Sequence, residues 1–154
     1  MLEQHPAPLA ELKLPAVAEF ISEARRVAVS LGSRLGFTLE EVDELSIAVT
    51  QACHSTIETA EDVWGRGATL KLTYSSTGKG MAVEVEALAP GAPQALHRAA
   101  AVPIQRRSRP HPDLAVQRAL TQEMMRLFVD DLEFSAADRE ANRIRFRMVK
   151  YLIS

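Results

Sequence analysis

After Ala68 the spacing of apolar residues changes from a helical period near 3.6 to a strand period of 2, and that switch restricts the fold to a class joining helices to a sheet. Upstream, Thr38 followed three residues later by Glu41 forms a capping-box pattern that opens a helix of about twenty residues. Its apolar face runs through Val42, Leu45, Val49, Ala52, Cys53, Thr56 and Ile57. An earlier helix follows from Val17, Phe20, Ile21, Ala24, Val27, Ala28 and Leu31, with Gly32 and Gly36 closing it. Before that helix, Leu12 and Leu14 alternate with polar neighbours as a short edge strand that ends at Pro15. Downstream, Leu70, Leu72 and Tyr74 alternate, Ser75 to Gly80 supplies a turn, and Met81, Val83 and Val85 alternate again. That is a β-hairpin.

From Ala89 to Pro112 the composition changes. This stretch holds five of the eight prolines, four arginines and no acidic residue. It reads as a mobile, lid-like loop with at most one helical turn at Gln94 to Ala101. Leu114, Leu120, Met124, Leu127 and Phe128 then space a last helix over Leu114 to Phe128. Two strands finish the chain, one at Leu132 to Phe134 and one in which Ile144, Phe146 and Met148 alternate with Arg143, Arg145 and Arg147. The order predicts an α+β two-layer sandwich, with helices on one face of a mixed, mainly antiparallel sheet and residues 1–154 as one domain. The net charge of -2 gives no field for nucleic acid or an anionic membrane. No apolar run reaches the length of a membrane span, the N-terminus lacks a signal-peptide pattern, and Cys53 is the single cysteine. The expected location is the cytoplasm.

The run DELSIAVTQACHSTIETA, Asp43 to Ala60, resembles the first conserved helix of the anti-sigma-factor serine kinases, relatives of the ATPase modules of histidine kinases, gyrase and MutL. The family pattern is roughly Asp-x-x-Ile-Ala-Val-x-Glu-Ala-Cys-x-Asn-Ala-x-x-His-Ala. Ile47, Ala48, Val49, Ala52, Cys53 and Ala60 keep its frame, with Gln51 at the Glu position and Ser55 at the Asn position. Phe128 to Phe134 resembles the family's junction between last helix and next strand, and Met148 to Leu152 is similar to its terminal strand. The resemblance implies a histidine-kinase-like ATPase fold, Mg-ATP as cofactor, and transfer of the γ-phosphoryl group to a serine of an antagonist protein.

In that family the Glu takes the serine proton and the Asn holds Mg²⁺. An amide cannot accept a proton at neutral pH, and a serine hydroxyl reaches less far than Asn. The second family box, Val-x-Val-x-Asp-x-Gly-x-Gly, meets Val83, Val85, Ala87, Ala89 and Gly91 here. Ala87 offers no acceptor for adenine, Pro90 stiffens the turn, and alternation sends Glu86 to the opposite sheet face. The third box, a glycine phosphate cradle, falls on Ala119 and Thr121, and no glycine occurs from Ala92 to the end. With all three boxes altered, the expectation is a chain that has kept the kinase fold, binds no ATP or metal and is not an enzyme. It would act as an anti-sigma-like binding protein whose partners are a sigma factor, an antagonist protein, or both, and the family commonly dimerises.

The alternative is a divergent serine kinase anti-sigma factor that still binds ATP, with Glu58 or Glu61 supplying the base. Glu58 shares a helix face with Gln51, about 10 Å along the axis. A third reading is a structural or dimerisation module. Candidate partner contacts are Arg25 and Arg26 on the first helix and Arg106, Arg107 and Arg109 in the loop, where docking to an acidic surface competes with plain solvation. Cys53 and His54 are adjacent and point about 100° apart, so they form no thiol–base pair. His5, His97 and His111 are too scattered for a metal site.

Overall fold

The structure is a computed structural model that describes residues 7–91, 120, 123–138 and 143–151. Strand β1 (Ala7–Pro15) leads through a 3-10 turn (Ala18–Phe20) into helix α1 (Ile21–Leu35) and helix α2 (Leu39–Trp64). The hairpin of β2 (Thr69–Thr77) and β3 (Gly80–Leu88) follows, and β4 (Asp131–Asp138) and β5 (Arg143–Tyr151) close the sheet. The strand order is β1-β2-β3-β5-β4, and all four pairings are antiparallel. The α+β expectation holds, with a purely antiparallel sheet where a mixed one was expected.

Local chemistry accounts for each boundary. Gly36 adopts φ +93° and ends α1, where a residue with a Cβ would be strained. Gly32, expected to help close that helix, lies inside it. It is buried so that α1 can approach Phe37 and Val42, whose side chains lie 3.3 Å from where its Cβ would be. Helix α2 opens with the complete capping box: the Glu41 amide donates to Thr38 Oγ1 at 3.1 Å, and the Thr38 amide donates to Glu41 Oε1 at 2.9 Å. At 26 residues α2 is longer than expected.

One sheet face packs against the helices. Leu70, Leu72 and Tyr74 of β2, Met81, Val83 and Val85 of β3 and Met148 of β5 join Ile21, Ala24, Ala28, Val42, Leu45, Val49, Ala52, Cys53 and Ile57 in a single core. The Tyr74 hydroxyl donates to the Ala24 carbonyl at 2.7 Å and pins α1 to the sheet across 50 residues of sequence. The opposite face is a polar ladder. Arg145 Nη2 lies 2.8 Å and Arg147 Nε 3.6 Å from Glu84 Oε1, and Glu86 is buried in register between Lys71 and Arg145. Four positions expected on apolar faces turn out otherwise. Val17 is exposed, and in the segment before β4 Leu120, Met124 and Leu127 face outward while Met125 and Val129 enter the core. The spacing alone allowed two faces there, and the sheet selected the one bearing Met125.

Candidate functional site

Of the expected site residues, Gln51 and Ser55 lie on α2, Ala87 lies near the end of β3, and Ala89 and Gly91 lie just after it. Most of α2 is enclosed, because it packs on the sheet, on α1 and, through Ala60, on the end of the hairpin. Its accessible side is one narrow stripe: Glu40, Asp43, Ile47, Gln51, His54, Glu58 and Glu61, at the three- and four-residue steps of a helix face. Gln51 is half-buried in the uncharged centre of that stripe, and the exposed Glu58 sits two turns further on. At 1.5 Å per residue, Glu58 lies about 10 Å along the axis from Gln51. Ser55 is buried one turn from Gln51, and its carbonyl accepts the Thr59 hydroxyl at 2.8 Å. Thr56 makes the same kind of bond to the Ala52 carbonyl at 2.7 Å. These hydroxyls are committed to the helix backbone.

Ala87 is fully buried with Ala60 and Ala68, and Ala16, Val63 and Trp64 pack at the edge of that group. Among the described residues this seat is lined by small apolar side chains, with the Trp64 indole packed at its edge. Beyond it the chain turns through Ala89 and Pro90 to Gly91, which adopts φ +68°. Pro90 lies against Gly67, within 3.6 Å of where a Cβ there would sit. The turn is therefore held beside the C-terminal end of α2. Glu86 faces the other side of the sheet, as alternation requires. Ala119, Thr121, Arg106, Arg107 and Arg109 lie outside the described residues, as do His5, His97 and His111. Arg25 and Arg26 are exposed on α1, with Arg26 only 3.9 Å from Glu23.

Burial pushes the Cys53 thiol up to about 12 from 9.0, so it stays protonated and unreactive inside the core, while His54 points outward. No group of three metal-ligating side chains occurs among the described residues. No helix among them is long and apolar enough to cross a membrane.

One buried polar arrangement escaped the sequence. Lys150 is buried on the helix-facing side of β5, where its ammonium donates to Glu44 of α2 at 2.5 Å and to the Phe128 carbonyl at 3.0 Å. The signal was present in the alternation: Met148 faces the core, so Lys150 must as well.

Comparison with known proteins matches this architecture. The serine-protein kinase RsbW of Halalkalibacterium halodurans is 31% identical over 64 residues, 42% of this chain and 38% of its own length. The RsbW proteins of Bacillus pumilus and Bacillus subtilis are each 36% identical, over 52 and 50 residues. Over these stretches the chain is similar to proteins named serine-protein kinase RsbW. The match spans about a third of the length of these relatives, from 31% to 38%. No protein-family model matches the chain.

The expectation that the chain is not an enzyme is corrected by this finding, since each of these relatives is named a serine-protein kinase. The physical reason is that phosphoryl transfer passes through a loose transition state and asks mainly for positioning and charge stabilisation. A missing carboxylate at Gln51 is therefore a weaker argument against catalysis than its role as a base suggested.

Proposed function

We propose that this chain is a divergent serine-protein kinase of the anti-sigma type, one that binds Mg-ATP and acts on a protein substrate in the cytoplasm. The observation that carries the reading is its identity of 31–36% with proteins named serine-protein kinase. The antiparallel sheet backed by α1 and α2 supports it. The partners are a sigma factor, an antagonist protein bearing the acceptor serine, or both. Residues 1–154 act as one domain and pair as a homodimer, with Arg25, Arg26, Arg106, Arg107 and Arg109 as candidate contacts.

The described residues suit the two ends of a nucleotide unequally. The accessible centre of α2 offers Gln51 for the phosphate end, and Mg²⁺ typically takes only one or two protein ligands and keeps several waters. Ala87, fully buried beside Ala60 and Ala68, itself offers a base no hydrogen-bonding side chain. Bound Mg-ATP would supply the γ-phosphoryl group for the serine oxygen, with ADP as the leaving group and the hydroxyl proton released to solvent. Gln51 then acts as an orienting group: its carbonyl oxygen accepts the hydroxyl proton's hydrogen bond, and its amide donates toward negative charge. Ser55 lies one turn away on α2, and Ala87, Ala89, Gly91, Ala119 and Thr121 are the remaining candidate nucleotide contacts.

The test is transfer of label from γ-labelled ATP to serine in a protein extract of the host, comparing wild type with Gln51→Ala. Phosphoserine that depends on the chain and drops in the variant is the expected result. Equal labelling with and without the chain would refute the proposal.

A further inference from the structure

We infer that Lys150 is a positioning residue for the site on α2. Resting on the function proposed above, the inference assigns Lys150 the task of fixing where Gln51 stands relative to the sheet and to the junction before β4.

The junction at residues 128–130 is stapled to three consecutive residues of β5. The Asp130 amide donates to the Val149 carbonyl at 3.0 Å, the Lys150 ammonium donates to the Phe128 carbonyl at 3.0 Å, and the Tyr151 amide donates to Asp130 Oδ2 at 2.7 Å. Helical structure at 123–126 ends just before this point, and carbonyls at a helix C-terminus lack partners within the helix. The Phe128 carbonyl follows that helix by two residues, and the Lys150 ammonium gives it a partner. The junction and the end of β5 therefore form one unit.

Lys150 extends that unit to α2 through Glu44. Glu44 and Gln51 are seven residues apart, close to two turns, so they lie on one side of α2 about 10 Å from each other. A shift of α2 along or about its axis moves both together. With Lys150 only 4% exposed, its charge is costly to bury, and a buried ion pair is a poor source of net stability compared with apolar packing. What such a pair does well is select one register, since a buried charge without its partner is strongly disfavoured. Tyr74 and the apolar core hold α1 and α2 against the sheet, but apolar contacts tolerate sliding that a hydrogen-bonded ion pair does not.

The test compares wild type with Lys150→Met, Lys150→Arg and Glu44→Gln. It measures amide hydrogen exchange, melting temperature and Mg-ATP dissociation constant. Lys150→Met should melt within a few degrees of wild type. Exchange in residues 39–50 should accelerate about tenfold relative to the β2–β3 hairpin, and Mg-ATP binding should weaken by a similar factor, within the usual range of coupling between sites. Lys150→Arg keeps the charge and should recover most of both losses. Exchange rising equally in every element, or no change in residues 39–50, would mean Lys150 is merely structural and overturn the inference. If Lys150→Met does not fold, Glu44→Gln supplies the same exchange comparison with a neutral partner. Wild type that binds no Mg-ATP would remove the proposed function, while the exchange pattern would still decide for or against the positioning.

Discussion

Raising the pH from 8 to 10 crosses the ordinary ionisation of a thiol whose folded surroundings the structure defines closely. Cys53 is fully buried on the sheet-facing side of α2, and burial moves its thiol from 9.0 to about 12. In the unfolded chain the thiol ionises near 9, whereas in the folded chain it keeps its proton to about 12. Between those values the native state binds more protons, so stability falls as pH rises and is fully present below pH 9. At pH 10 the loss amounts to RT ln 11, about 1.4 kcal/mol, against less than ~0.1 kcal/mol at pH 8. For a chain of this size that lowers the melting temperature by about 3–6 °C. Burial also raises the Tyr74 hydroxyl above its ordinary value in the folded chain, so the assay is a difference. Urea unfolding at pH 8 and pH 10 is compared between wild type and Cys53→Ala, whose own packing loss is common to both pH values. The wild type should lose about 1.4 kcal/mol more than the variant. Parallel losses would mean that Cys53 is hydrated or ionised in the folded protein, and that α2 does not pack on the sheet as described.

Tyr74→Phe keeps the ring and removes the hydrogen bond to the Ala24 carbonyl. Chemical denaturation should register a loss of about 1 kcal/mol, and no loss would mean that bond is not formed. Gly80→Ala would place a Cβ 1.9 Å from the Lys150 carbonyl oxygen and 2.8 Å from Tyr151 Cα. Because backbone stands in the way, β3 and β5 must separate locally. The expected cost is at least about 2 kcal/mol by urea unfolding, and a neutral effect would contradict the register between those strands. Gln51→Ala should leave the melting temperature almost unchanged, because the side chain is half-exposed, while phosphoryl transfer falls about a hundredfold, the scale of losing one oriented polar contact at a transferring group.

The helices and the hairpin were legible because each signal was local. The Thr38–Glu41 capping box, the apolar face from Val42 to Ile57 and the alternation on both sides of the turn at Gly78 and Lys79 need no tertiary information. The face of the segment before β4 was not legible, since Met124 and Met125 are equally apolar and only the sheet's position selects Met125. The positions of the candidate site came from resemblance alone, because no local signal marks what Gln51 and Ala87 do, and the kinase names of the partial matches count against the expectation that the chain is not an enzyme. The Lys150–Glu44 pair was hidden for a different reason. Its partners are 106 residues apart, and a lysine one residue before Tyr151 looks like ordinary surface charge until strand register turns it inward.

The most direct test of the proposed activity is thermal melting of the protein with and without Mg-ATP and Mg-ADP at millimolar concentration. A nucleotide present at a hundred times its dissociation constant stabilises the fold by about 2.7 kcal/mol. At this chain length that raises the melting temperature by about 5–10 °C. A shift of that size with Mg-ATP, reduced in Gln51→Ala, is the result predicted for a divergent kinase. An unchanged melting temperature at every nucleotide concentration would contradict it.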